Sequence, residues 1–186
     1  MPKVLVPLAE GFEEIEAVSM IDIMRRGGIN VLVRALDDNM DVTGANGITL
    51  KADGSVEGLD ADDIDMIVLP GGWGGTNRLA EDAVIQNLLK AMDAKGKQIG
   101  AICAAPFALN AAGVLKHNYT CYPSVENDIR KEGYRGDSSQ VVEDANVMTS
   151  RGPGTAICFG LAIVKKLMGE KKYLAVKEGT LSTFCE

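Results

Sequence analysis

The chain predicts an α/β protein built on a mostly parallel sheet with helices on both faces. Three observations carry this expectation. Short apolar runs at Lys3–Leu8, Asn30–Leu36, Met66–Leu69 and Gln98–Ile102 alternate with stretches of helical periodicity. These runs stay apolar on both sides, as strands covered on both faces must. Glycines at Gly27-Gly28, Gly96, Gly113 and Gly169 punctuate the helical stretches where a helix would stop.

In chain order, Lys3–Leu8 reads as a buried strand and Phe12–Arg26 as a helix that returns Ile15, Val18, Ile21 and Ile23-Met24 to one side. Asn30–Leu36 is the next strand. Weaker strands at Asp41–Thr43 and Ile48–Ala52 flank Asn46-Gly47, a strong hairpin signal. Met66–Leu69 is a further buried strand and runs into the glycine-rich loop Pro70-Gly71-Gly72-Trp73-Gly74-Gly75. Asp82 caps a helix reaching Lys95. The strand Gln98–Ile102 leads through Cys103 into a helix that ends near Gly113. Tyr119–Tyr122 reads as a strand and Ser124–Lys131 as a short helix. Val141–Glu143 and Val147–Ser150 bracket a turn, and Thr155–Met168 is the last long helix, with a short one after it. No repeat, linker or low-complexity segment divides residues 1–186, so one domain is expected.

Apolar residues make up 46% and charged residues 24% of the chain, which is globular composition and excludes a disordered one. A net charge of −7 argues against nucleic acid or an anionic membrane surface as a partner. No apolar run is long enough to span a membrane. The N-terminus shows no signal-peptide pattern, so a cytoplasmic location is expected. The four cysteines, Cys103, Cys121, Cys158 and Cys185, lie far apart and form no C-x-x-C pair, which rules out a zinc ribbon or a thioredoxin-type motif. In a reducing cytosol they are expected to be free thiols. The single histidine, His117, sits in a polar loop and is a weak base candidate.

Cys103 stands at a strand-to-helix junction at the carboxyl end of the sheet. Such a side chain points out of the rim, and the start of the next helix favours a thiolate. Gly100 and two alanines keep the elbow uncrowded. The bland alternative is a small buried hydrophobe. Acidic residues cluster where the first strand meets the first helix. Dipole complementation accounts for Glu13 and Glu14. Glu16 lies where the helix must face other structure, so burial raises its pKa and leaves it able to donate or relay a proton. Gly71-Gly72 allows close backbone approach and an oxyanion hole, while it matches no nucleotide-binding pattern.

Taken together these blocks resemble the ThiJ/PfpI superfamily, and within it the branch of the parkinsonism-associated protein deglycase. The blocks are Ala9-Glu10-Gly11-Phe12-Glu13-Glu14-Ile15-Glu16, Asp22–Ile29, Val68-Leu69-Pro70-Gly71-Gly72, Ala101–Pro106 and Thr149–Thr155. The resemblance implies a flavodoxin-like three-layer sandwich and a homodimer. It implies a nucleophilic, oxidation-prone Cys103, a protonated Glu16 beside it, and backbone donors from Gly72 and Ala104. It places Glu13, Arg26, Tyr122 and Pro153 around a pocket or interface. Two departures stand out. Tyr122 occupies a position where some relatives carry histidine, and Asn46 one where some carry arginine. A neighbouring Ala104, in place of the histidine of the protease-like branch, disfavours a peptidase.

The resemblance implies a glyoxalase or protein deglycase without cofactor or metal, acting on methylglyoxal, glyoxal or glycated protein side chains. A redox sensor or chaperone working through a Cys103 sulfinate is the alternative. A glutamine amidotransferase-like hydrolase would need a histidine beyond His117, and none follows.

Overall fold

A computed structural model describes residues 1–186. The strands are β1 (Lys3–Leu8), β2 (Asn30–Ala35), β3 (Asp41–Thr43), β4 (Thr49–Lys51), β5 (Gly54–Ser55), β6 (Met66–Leu69), β7 (Gln98–Ile102), β8 (Val141–Asp144) and β9 (Val147–Ser150). The helices are α1 (Glu14–Arg26), α2 (Trp73–Glu81), α3 (Ala83–Ala94), α4 (Pro106–Ala112), α5 (Ala156–Met168) and α6 (Glu170–Gly179). Seven strands form the main sheet in the order β5-β2-β1-β6-β7-β9-β8. All its pairings are parallel except β8 with β9. β3 and β4 form a separate antiparallel hairpin.

Strand β1 shows how the layers arise. Its alternate residues Val4, Val6 and Leu8 join a core with Met20 and Met24 of α1 and Phe159 and Val164 of α5. Leu5 faces the other way, into a second core with Ile85, Leu88 and Leu89 of α3 and Leu109 of α4. Both faces are therefore covered, which is why these strands carry no polar alternation. The expected three-layer architecture is present.

Three local expectations differ from the fold. Within the glycine-rich segment after β6, Trp73-Gly74-Gly75 is the first turn of α2 and only Pro70-Gly71-Gly72 is loop. Its glycines hide the helical signal because they are chosen for close approach: a Cβ on Gly75 would lie 3.0 Å from Phe12 Cα. Tyr119–Tyr122 forms no strand beyond a single bridge between Tyr119 and Tyr134, because β9 already occupies the free edge of β7. Only one 3₁₀ turn, Val125–Asp128, forms within Ser124–Lys131.

The order of strands reverses direction between β1 and β6, one neighbour leading to β2 and the other to β7. At such a switch point the loops beyond the strand ends part and leave a crevice. The connections after β1, β6 and β7 carry Glu16, Gly71-Gly72 and Cys103 to that rim.

Candidate active site

Cys103 directly follows β7 and adopts φ +63°, a left-handed conformation that costs a non-glycine residue roughly 1–3 kcal/mol. Two backbone bonds impose it. The Cys103 N–H donates to Ser150 O at 3.0 Å, and the Cys103 carbonyl accepts from the Tyr122 N–H at 2.9 Å. The elbow therefore turns the side chain back over the sheet rim instead of letting it follow the strand.

Glu16 meets it from α1. Glu13 caps that helix by accepting the Glu16 N–H at 2.8 Å, which fixes the first turn. The Glu16 side chain is fully buried, and its Oε2 accepts the Gly71 N–H at 2.7 Å. Oε1 is buried without a well-formed hydrogen bond. Gly71 is required here. A Cβ at this position would lie 2.6 Å from both Cys103 Cβ and Glu16 Oε2. Gly72, at φ +84°, caps α2 and turns its own N–H inward.

Burial pushes the Glu16 carboxyl up to about 7, against the opposing pull of bonds with Cys103 and Gly71, and the charge of Glu13 adds to the rise. Burial also pushes the Cys103 thiol well above its ordinary value, and the Glu16 charge pushes it further. The backbone N–H groups of Gly72 and Ala104 pull the other way. This corrects the expectation of an exposed thiolate favoured by a helix start. Cys103 is only 8% exposed, and α4 begins three residues later at Pro106. A thiolate at Cys103 is favoured when Glu16 holds the proton, because the repelling charge is then gone and the acid can donate.

The remaining sequence candidates divide. Tyr122 and Pro153 line a cleft of about 350 Å³ together with Arg151, Gly152 and Thr155. The Tyr122 N–H bond ties one wall of this cleft to Cys103. Arg26 lies elsewhere. It sits ten residues beyond Glu16 on α1, roughly 15 Å along the axis, and pairs with Asp22 at 2.8 Å. His117 is exposed in its loop, where its carbonyl accepts from Arg130 Nη2 at 3.3 Å. No group of His, Cys, Asp and Glu is placed to hold a metal ion.

Glu14 corrects the dipole reading. Its side chain is buried, accepting from Asn46 N at 2.7 Å, Asn46 Nδ2 at 3.0 Å and Ile48 N at 3.2 Å. It anchors the β3–β4 hairpin over α1, and Asn46 is occupied by that task. The cysteines are also corrected. Cys103 and Cys121 are free, whereas Cys158 and Cys185 form a disulfide. Trp73 was missed as a wall of the rim. It follows Gly72, is partly exposed, and meets Phe107 edge-on at 5.7 Å. Its place directly after the glycine pair is the signal that could have found it.

Comparison with known proteins agrees with this geometry. The model of the DJ-1/PfpI family matches residues 2–166. Protein dj-1beta of Drosophila melanogaster is 38% identical over 181 residues, covering 97% of both chains. Its crystal structure superposes with a TM-score of 0.92 over 97% of each chain. The glutathione-independent glyoxalase DJR-1.2 of Caenorhabditis elegans is 38% identical over 169 residues, 91% of this chain and 89% of that one. Protein DJ-1 homolog B of Arabidopsis thaliana is also 38% identical, over 182 residues and 97% of this chain, which spans only 41% of that longer protein. With the family model matching residues 2–166 and relatives 38% identical over nearly the whole chain, the chain belongs to the DJ-1/PfpI family.

Proposed function

We propose that the protein is a glyoxalase of the cofactor-independent type, converting methylglyoxal or glyoxal to the hydroxy acid. The observation that carries this reading is the fully buried Glu16 beside Cys103, raised to about 7 and so able to give and take a proton at neutral pH. The glyoxalase name of the C. elegans relative supports the substrate class.

In this reading Glu16 holds the proton while the Cys103 thiolate attacks the aldehyde carbon of methylglyoxal, forming a C–S bond. The resulting oxyanion is held by the Gly72 and Ala104 N–H groups and takes the proton from Glu16, which is left as the carboxylate. Glu16 removes the proton from that carbon and returns one to the neighbouring ketone carbon. One carbon is oxidised as the other is reduced, so no external electron acceptor is needed. Water hydrolyses the lactoyl thioester, releasing lactate and the thiol. The same nucleophile would reach early adducts on protein side chains.

The test is lactate formation from methylglyoxal without glutathione, by wild type and Cys103→Ser. Turnover confined to wild type supports the reading; equal turnover, or none in either, defeats it. A second reading, a sulfinate sensor, is favoured by the same donors, since Gly72, Ala104 and protonated Glu16 would also stabilise an oxidised sulfur anion.

The proposal takes the chain as a homodimer. Ile15 and Val18 of α1 and Ile48 of the hairpin that Glu14 ties to it are large, apolar and exposed. Light scattering should give a dimer for wild type and a monomer for Val18→Asp. No helix is long and apolar enough to cross a membrane. We read the location as cytoplasmic, with the Cys158–Cys185 disulfide the one feature set against it.

A further inference from the structure

The C-terminal segment is fastened to the rim behind Cys103 by a continuous set of bonds. Cys158, in the first turn of α5, is disulfide-bonded to the penultimate residue Cys185. The side-chain amide of Gln140, just before β8, grips the segment on both sides of that cysteine. Its Nε2 donates to Phe184 O at 3.0 Å, and its Oε1 accepts the Glu186 N–H at 3.0 Å. Lys177 Nζ donates to Cys185 O at 2.6 Å. On its other side, the Gln140 carbonyl accepts from Ser150 Oγ at 2.7 Å, and that oxygen lies 2.7 Å from Thr155 Oγ1. Ser150 is fully buried, and its carbonyl is the one that takes the Cys103 N–H.

The other ties of the segment are also mostly polar: the Tyr173 hydroxyl donates to Glu186 O at 2.7 Å, the Ser182 N–H donates to Lys177 O at 3.0 Å, and of its side chains only those of Ser182 and Cys185 are buried. Leu181 and Phe184 are 80% and 58% exposed, so their apolar surface is not what docks it. A chain end held by polar bonds and one covalent link opens readily once that link is cut. The link also restrains the start of α5, immediately after the Arg151–Thr155 wall of the cleft.

We infer that Cys158–Cys185 is a thiol–disulfide exchange site whose state sets the reactivity of Cys103, and that its co-substrate is a dithiol reductant. Cys158 and Cys185 are each 4% exposed, so exchange proceeds through local opening of the chain end: a thiolate of the dithiol then attacks Cys185 Sγ, forming a mixed disulfide as the protein S–S bond breaks, and Cys158 leaves as a thiolate that takes a proton. The second thiol of the reductant closes its own disulfide, and Cys185 leaves as a thiol. Two electrons and two protons pass to the protein, and the dithiol is oxidised. Release of residues 180–186 frees both sides of the Gln140 amide, and the strain at the Cys103 elbow loses part of its support. Gln140 is a positioning residue in this scheme.

Labelling under denaturing conditions with intact mass measures the disulfide. Two thiols should be alkylated in protein purified without reductant and four after dithiothreitol and desalting. Native alkylation of Cys103 by iodoacetamide, followed by peptide mass, measures the coupling. Reduction should accelerate it about 2- to 30-fold, the range that contiguous packed networks transmit. Cys185→Ser should show the reduced rate and no response to dithiothreitol. Gln140→Ala, with its disulfide intact, should shift the oxidised rate toward the reduced one. Four thiols before reduction would overturn the exchange site. Equal Cys103 rates with the disulfide open and closed would overturn the coupling. Neither readout requires dicarbonyl turnover, so failure of the glyoxalase reading leaves this test intact.

Discussion

Replacing Glu16 by Gln removes a titrating group from a position with no solvent exposure while keeping its size and its bond to the Gly71 N–H. The effect on stability must then depend on pH. The folded carboxyl is raised from 4.5 to about 7, whereas in the unfolded chain it stays at its ordinary value. Between those values the folded state holds the extra proton, so the contribution is fully present below pH 4.5 and is lost as pH rises through 7. At about 1.4 kcal/mol per unit, the ionised carboxyl costs the wild type about 3 kcal/mol at pH 8. For a chain of this size that is roughly 6–12 °C in Tm. Thermal melts should therefore show Glu16→Gln ahead of wild type by about that margin at pH 8, with the gap several-fold smaller at pH 5. Repeating the pair in a Cys103→Ala background removes the thiol's own titration. A gap equal at both pH values would refute a neutral buried Glu16, and with it the proton relay. Catalysis should move the opposite way. Gln cannot relay a proton, and loss of a positioned acid–base group lowers turnover by roughly 10²–10⁴-fold.

Gly71→Ala should cut dicarbonyl turnover on the order of 100-fold while the far-ultraviolet circular dichroism is kept, because the new methyl would force Cys103 or Glu16 aside; unchanged turnover would mean that their spacing does not matter. Burial raises the Glu14 carboxyl, but the bonds from the Asn46 side chain and from the backbone at Asn46 and Ile48 outweigh it and leave the group below 4.5. Its contribution is therefore present above pH 4.5 and lost on acidification through the folded value, so urea melts should show wild type losing its lead over Glu14→Gln below pH 4.5. A lead that stays constant down to pH 3 would contradict this. Mild peroxide should add about two oxygens to Cys103 and leave Cys121 unmodified, since Cys121 is fully buried; a Cys103–Cys121 disulfide as main product would show that the two sulfurs meet.

What the sequence shows of this molecule follows how local each feature is. The Cys103 elbow is legible because strand, nucleophile and helix are adjacent, and because the small residues around it have no other use. Glu16 is legible because helical spacing turns it inward. The Cys103 thiol is not, since its direction depends on closure of the rim by residues from three separate connections. Glu14 has the same local signature as an ordinary first-turn acid. Only the arrival of a hairpin more than thirty residues later gives it partners. The segment from Trp73 to Gly75 reads as loop because glycine is a poor helix former. Its glycines answer to the backbone of Gly11 and Phe12 instead.

The cysteines show the same limit more sharply. Cys158 lies in an apolar helix and Cys185 near the chain end, 27 residues apart, with no spacing that marks them as a pair. Their meeting depends on α6 and the turn after it bringing Phe184–Glu186 to Gln140, the residue before β8. Cys103 and the disulfide thus differ by position. Cys103 is strained, close to a carboxyl that can hold its proton, and nearly covered. The Cys158–Cys185 link restrains a segment whose apolar side chains face outward. A reagent or reductant that reaches the second changes what holds the first, because Ser150 accepts the Cys103 N–H with one oxygen and donates to Gln140 with the other.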